Sequence, residues 1–165
     1  MAMSRVAALT VAAVALVAAA PASAQTPTPQ APVTAPAFDE ALAKSTGADE
    51  HGMRSYVLVI LKTGPTKVPA GPERDAMFKG HMANITRLSQ AGKLVLAGPF
   101  QSDGSDGWRG LFLFAVPDVE EAKQLVATDP VIQKGEMIAE YHKWYGSAGV
   151  MLIPEAHKKL AKQSF

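Results

Sequence analysis

Proton transfer near neutral pH calls for an imidazole, and this chain has four: His51, His81, His142 and His157. None stands four residues from another, so the paired ligands of a helical zinc site are absent. The chain has 0 cysteines, which excludes thiolate zinc, an iron–sulfur cluster, a thiol nucleophile, a disulfide framework and a lipid-modified N-terminal cysteine. Asp103-Gly104-Ser105-Asp106-Gly107 has the composition of a calcium loop without that loop's full spacing or its closing glutamate, and it reads as a hairpin turn. Asn84-Ile85-Thr86 spells a glycosylation triplet but falls within a helical pattern, which makes it accidental. His81 lies at the edge of an apolar helical stripe, and Asp129 directly precedes Pro130. On residue types alone these two suit a packed helix histidine and a turn residue better than they suit chemistry. No metal and no cofactor is expected.

The elements that must position such groups begin after a leader. Arg5 is followed by an apolar run from Val6 to Ala20, a helix-breaking Pro21 and the small-x-small signature Ala22-Ser23-Ala24. This is a signal-peptide pattern over residues 1–24, too short an apolar run for a spanning helix, and it predicts a periplasmic or secreted chain with no membrane attachment after cleavage. Residues 25–37, with four prolines and no charge, form a semi-extended Pro/Thr-rich linker. The chain has 16 basic and 15 acidic residues, and loss of Arg5 with the leader makes the two equal. No long-range field then argues for nucleic acid, and small molecules or protein neighbours become the expected partners. With 165 residues, 48% of them apolar and 19% charged, the chain supports one domain with a true core.

Residues 38–53 form an N-terminal extension in which Phe38, Ala41 and Leu42 share one face of a short helix that Gly47 ends. Arg54 to Lys62 alternates as a strand. Met77, His81, Ile85, Leu88 and Ala91 recur at spacings of three and four, which predicts a helix from Glu73 to Ala91. Lys93 to Ala97 is a short strand that Gly98-Pro99 ends, and Trp108 to Val116 is another, so the two form a hairpin. Asp118 caps a second helix, Val119 to Thr128, closed by Asp129-Pro130. Glu136 to Tyr145 is the last strand, where Tyr141 and His142 must face opposite ways. The basic tail of residues 148–165 ends in a segment from Pro154 to Phe165, with His157, Lys158, Lys159 and Lys162, that reads as a short basic helix in solvent.

The order strand, helix, strand, strand, helix, strand predicts an α+β, ferredoxin-like βαββαβ domain over 54–147: a four-stranded antiparallel sheet with two helices on one face. The other face is left bare, and a second copy packed sheet to sheet is the expected cover. Trp108, Phe112 and Phe114 or their neighbours would supply aromatic surface on one face or the other.

His81-Met82-Ala83-Asn84-Ile85-Thr86-Arg87-Leu88, Ala91-Gly92-Lys93-Leu94-Val95-Leu96-Ala97-Gly98-Pro99-Phe100, Glu120-Glu121-Ala122 and Thr128-Asp129-Pro130 together resemble the YCII-related (YciI-like) domain across roughly Tyr56 to Tyr145. The resemblance implies a dimeric α+β barrel with an active site made by a histidine and an aspartate, roles that fall on His81 and Asp129. It also implies dehydrochlorinase-like or lactone-isomerase-like chemistry. Such a pair is chemically apt. A carboxylate bonded to one ring nitrogen fixes the tautomer and leaves the other nitrogen to take or give a proton beside a carbonyl or phenol. Gly98 and Pro99 are expected to shape the pocket wall and let a substrate approach the backbone. The expected function is that of an exported lyase or isomerase acting on a small cyclic or aromatic substrate. The alternative is a non-catalytic exported binding or dimerisation module.

Overall fold

The computed structural model describes residues 37–101 and 107–163. The expected leader, all of the expected linker but Ala37, and most of the hairpin turn, residues 102–106, lie outside the described residues. Alternating burial builds the sheet. β1 (Met53–Thr63) sends Val57, Val59 and Leu61 into the main core, while Tyr56 and Leu58 join a second cluster on the opposite face. β4 (Met137–Ser147) pairs antiparallel along all of β1, from Met53 opposite Ser147 to Thr63 opposite Met137. β3 (Trp108–Phe114) takes the other side of β1, and β2 (Leu94–Pro99) pairs with β3, giving the order β2-β3-β1-β4. This is the α+β, ferredoxin-like sheet.

Two long-range helices cover one face. α2 (Pro72–Gln90) has proline in its first turn with Glu73 and Asp75, where the helix dipole favours acids, and Gly92 at φ 68° follows its end. α3 (Val119–Val126) is capped by Asp118, whose carboxylate accepts the Glu121 N–H at 2.8 Å. Met77 and Leu88 of α2 and Ala122 and Val126 of α3 meet Phe112 and Phe114 in the core. Phe112 and Phe114 therefore belong to the helix side and are not available to a second sheet.

Several boundaries differ from expectation for identifiable reasons. β2 runs on through Gly98 and Pro99 because it is an edge strand, where proline's missing N–H costs no ladder bond. β3 stops at Phe114, two residues early. Asp129-Pro130 does more than close α3: Asp129 caps a further short helix, α4 (Pro130–Gln133), accepting the Val131 N–H at 3.1 Å. In the N-terminal extension α1 (Glu40–Thr46) docks through buried Thr46, whose carbonyl accepts from Arg54 Nη1 at 2.7 Å, while Phe38, just before the helix, is 80% exposed. After β4 a 3-10 turn (Ala148–Leu152) lays Val150 and Met151 over Tyr56, Val95 and Leu113, so the outer sheet face is already partly covered. The tail then forms α5 (Ile153–Leu160).

Candidate active site

α2 and the α3–α4 junction bring His81 and Asp129 together. The Nδ1 of His81 lies 2.8 and 3.0 Å from the two carboxylate oxygens of Asp129. Asp129 is fully buried, and its other neighbours are the Val131 N–H and the Asn84 side-chain amide, which donates at 3.3 Å. Every neighbour of the carboxylate is a donor, so Nδ1 carries the hydrogen that faces it, and in the neutral form of the ring the lone pair is on Nε2. No described residue bonds Nε2. The ring is held flat against Phe112, with centroids 5.9 Å apart, and edge-on to Phe78 at 6.2 Å.

The close approach of the two helical segments has a single steric condition. A Cβ on Gly80 would stand 2.9 Å from Cγ of Pro130, so glycine at the position before His81 is what lets α2 sit against α4. Asn84, one turn along α2 from His81, is buried and links the pair to a second layer. Its carbonyl oxygen accepts from Arg87 Nη2 at 2.7 Å and from the Thr128 hydroxyl at 3.1 Å, and Arg87 also donates to Thr128 at 3.0 Å. Sequence reading found in Asn84 only an accidental triplet. Its place one turn beyond His81 was the available signal.

His81 stands on the wall of a cleft of about 710 Å³ between α2, the edge of β2–β3 and α5. The cleft is apolar over most of its surface, with Phe78, Ile85, Leu94 and Phe112 beside the imidazole and Gly98, Pro99 and Phe100 on the strand edge. Gly98 and Pro99 thus stand on its wall. The tail is the exposed basic helix that its sequence suggests, and Ile153, Pro154, His157 and Lys158 of α5 also line the cleft. Of the two strand-four neighbours, Tyr141 packs on the core beneath the helices, and burial raises its hydroxyl pKa. His142 points to the outer face and bonds Glu140 at 2.8 Å.

At the end of the cleft Glu136 is buried. Burial alone would raise its pKa, but the Val68 N–H at 2.7 Å, Arg74 Nη1 at 2.7 Å and the charge of Arg109 outweigh it and hold the group below the ordinary carboxylate range.

A family model described as YCII-related domain matches residues 55–144, over half of the chain. Among solved structures, that of 5-chloro-2-hydroxyhydroquinone dehydrochlorinase from Burkholderia phenoliruptrix AC1100, in complex with 2,5-dihydroxybenzoquinone, is similar at 19% identity and a TM-score of 0.41. The match covers 54% of this chain and 92% of that one. No curated protein matches the sequence.

Proposed function

The chain belongs to the YCII-related domain family, and from that premise we propose that it is a cofactor-independent lyase or isomerase working on a small cyclic or aromatic substrate through His81 and Asp129. The observation that carries this reading is the 2.8 Å contact of His81 Nδ1 with a fully buried carboxylate, beside an apolar cleft onto which the imidazole faces. Asp129 holds the ring and balances the imidazolium that forms when Nε2 takes a proton.

The proton comes from a carbon or hydroxyl next to a carbonyl or phenol. In an elimination, the electron pair left on carbon forms the new double bond, the leaving group departs with its own pair, and His81 returns its proton to that group or to water. In an isomerisation the same proton goes back to a different atom of the substrate. Gly98 and Pro99 form the part of the wall where a flat ring approaches the backbone. We further propose that 54–147 is the catalytic domain and that the chain works outside the cytoplasm, a reading supported by the leader pattern of residues 1–24.

The test is a screen of the full chain against small phenols, lactones and hydroxyquinones with an absorbance readout. Turnover that disappears in His81→Ala supports the proposal. Binding of such compounds without turnover, unaffected by His81→Ala, would replace it with the binding-module reading.

A further inference from the structure

The polar side chains on the cleft wall are His81, Ser89, Arg109, His157 and Lys158, and among the described residues no carboxylate lines it. Asp129 and Glu136, the two buried acids nearby, both lie behind other side chains and are already bonded. An apolar cleft lined by the cations Arg109 and Lys158 and, among the described residues, by no carboxylate favours an anionic occupant.

Arg109 is the cation best placed to act. Leu61 pairs with Gly110 and Lys62 with Trp108, so Arg109 is the extra residue of a bulge in β3, the device by which a strand re-aims one side chain. Without the bulge, alternation from Phe112 would put residue 109 on the outer face. Instead it reaches the cleft, where its Nη1 stands 4.0 Å from Glu136 Oε1, too far for a hydrogen bond. The tight partner of Glu136 is Arg74, at 2.7 Å, and among the described residues no acceptor takes the donors of the Arg109 guanidinium, which face the cleft for a ligand. Lys158 is a weaker candidate, since it is 66% exposed and already bonds Glu155 at 2.5 Å.

Spacing sets the size of the ligand. Phe112 stacks on His81, and Arg109 lies three residues before it on the same strand, roughly 10 Å away along the backbone at about 3.3 Å per residue. One ring and its substituent span that distance. We propose that the substrate is an aromatic or unsaturated cyclic carboxylate whose carboxylate is held by the Arg109 guanidinium while its ring lies against Phe112 and Phe78 within reach of His81. A planar fork of donors suits a carboxylate in two-point contact, which a lysine ammonium does not reproduce. The inference rests on the proposed function for the role of His81, but its own content is a binding preference.

The experiment is calorimetric titration of the full chain with 4-hydroxybenzoate and with 4-hydroxybenzamide, which differ in charge and little in shape. The benzoate is expected to bind at least tenfold more tightly. Arg109→Gln is expected to abolish that ratio, Arg109→Lys to restore only part of it, and His81→Asn to leave it in place. Arg74 still holds Glu136 in both Arg109 variants, so the fold is kept. Equal binding of the two probes by the wild-type chain, or a ratio unchanged in Arg109→Gln, overturns the proposal. Because the readout is binding, a preference that survives in a chain with no turnover would sink the enzymatic reading and leave this one standing, while turnover without preference would do the reverse.

Discussion

His81 and Asp129 are coupled closely enough that neither can work alone. Removing a working general base costs roughly 10²–10⁴-fold in rate, so His81→Ala is expected to lose turnover of the identified substrate by that factor. Asp129→Ala should lose about as much, and the double variant little more than either single one, because the two act as a unit. Rate constants for the three variants check this; strictly additive losses would show that the pair serves structure only. The buried position of Asp129 adds a difference between the two singles. Its loss leaves the Val131 N–H and the Asn84 amide without their acceptor, and buried orphans of that kind cost about 1–3 kcal/mol. Asp129→Ala is therefore expected to lower the unfolding midpoint visibly, where His81→Ala lowers it less. At the level of residue types, neither partner was marked for chemistry. The sequence placed His81 on a stripe edge and Asp129 at a turn, and only the family pattern joined them. No local rule reaches across 48 residues to say that two side chains share a proton.

The joining is the work of elements. α2, β1 and β4 are legible in the sequence from the three-and-four spacing of Met77, His81, Ile85 and Leu88 and from the β-branched apolar run of β1, even though β1 is buried on both faces and β4 alternates only over its first half. α4, the β3 bulge and the cleft-forming role of α5 are not, because a four-residue helix, a one-residue slip and the docking of an exposed helix leave no period to read. Gly80 shows how an element-scale contact can hide in one residue. Inside a helix, alanine is better than glycine by about 0.8–1.0 kcal/mol, so Gly80→Ala would stabilise an isolated α2. Here the new methyl meets Pro130 at 2.9 Å, forcing α2 away from the segment that carries Asp129. Overpacking of this kind costs about 1–3 kcal/mol, which cancels or exceeds the propensity gain. Because a displacement near 1 Å can cost on the order of 100-fold in rate, Gly80→Ala is expected to lose activity far out of proportion to its change in stability. Paired kinetic and urea-unfolding measurements would decide; full activity together with higher stability would mean that Pro130 yields freely.

A second element-scale contact gives a pH dependence. Glu136 joins the start of β4 to the β1–α2 loop through Val68 and to α2 through Arg74. Its folded pKa lies below the ordinary carboxylate value, so its contribution is present in full above the unfolded value of about 4.3 and is lost as pH falls through the lowered folded value. Stability should therefore drop as the chain is taken from pH 5 to more acid conditions, and Glu136→Gln should flatten that limb. Unfolding midpoints between about pH 6 and pH 3 test this, and an unchanged acid limb in the variant would refute it.

For the whole molecule, the leader pattern predicts a mature chain beginning at or near Gln25, which mass spectrometry of protein from the native host would show; a full-length cytosolic chain would contradict it. The remaining question of assembly turns on the outer sheet face. One end of that face is closed by Val150 and Met151, and the Lys62–Glu140–His142 contacts give its middle a polar strip. Among the large apolar side chains that stay exposed on the sheet are Trp108 of β3 at 42% and, on β4, Ile138 at 48% and Trp144 at 41%, with the Trp144 indole tilted against Tyr56 at 5.3 Å. Apolar rings left in water beside a pleated face are the usual mark of a surface awaiting a partner, and a second copy offers the same patch in self-complementary form. The expected dimer is thus narrower than a full sheet-on-sheet sandwich and centred on β4 and β1. Light scattering at micromolar concentration should give twice the chain mass. Ile138 is 48% exposed and lies opposite Lys62, which already pairs with Glu140, so Ile138→Glu puts a second carboxylate beside that cation and places charge in the interface without touching the core. That variant should be a folded monomer. A wild-type monomer, or a dimer indifferent to Ile138→Glu, would move the interface elsewhere or remove it.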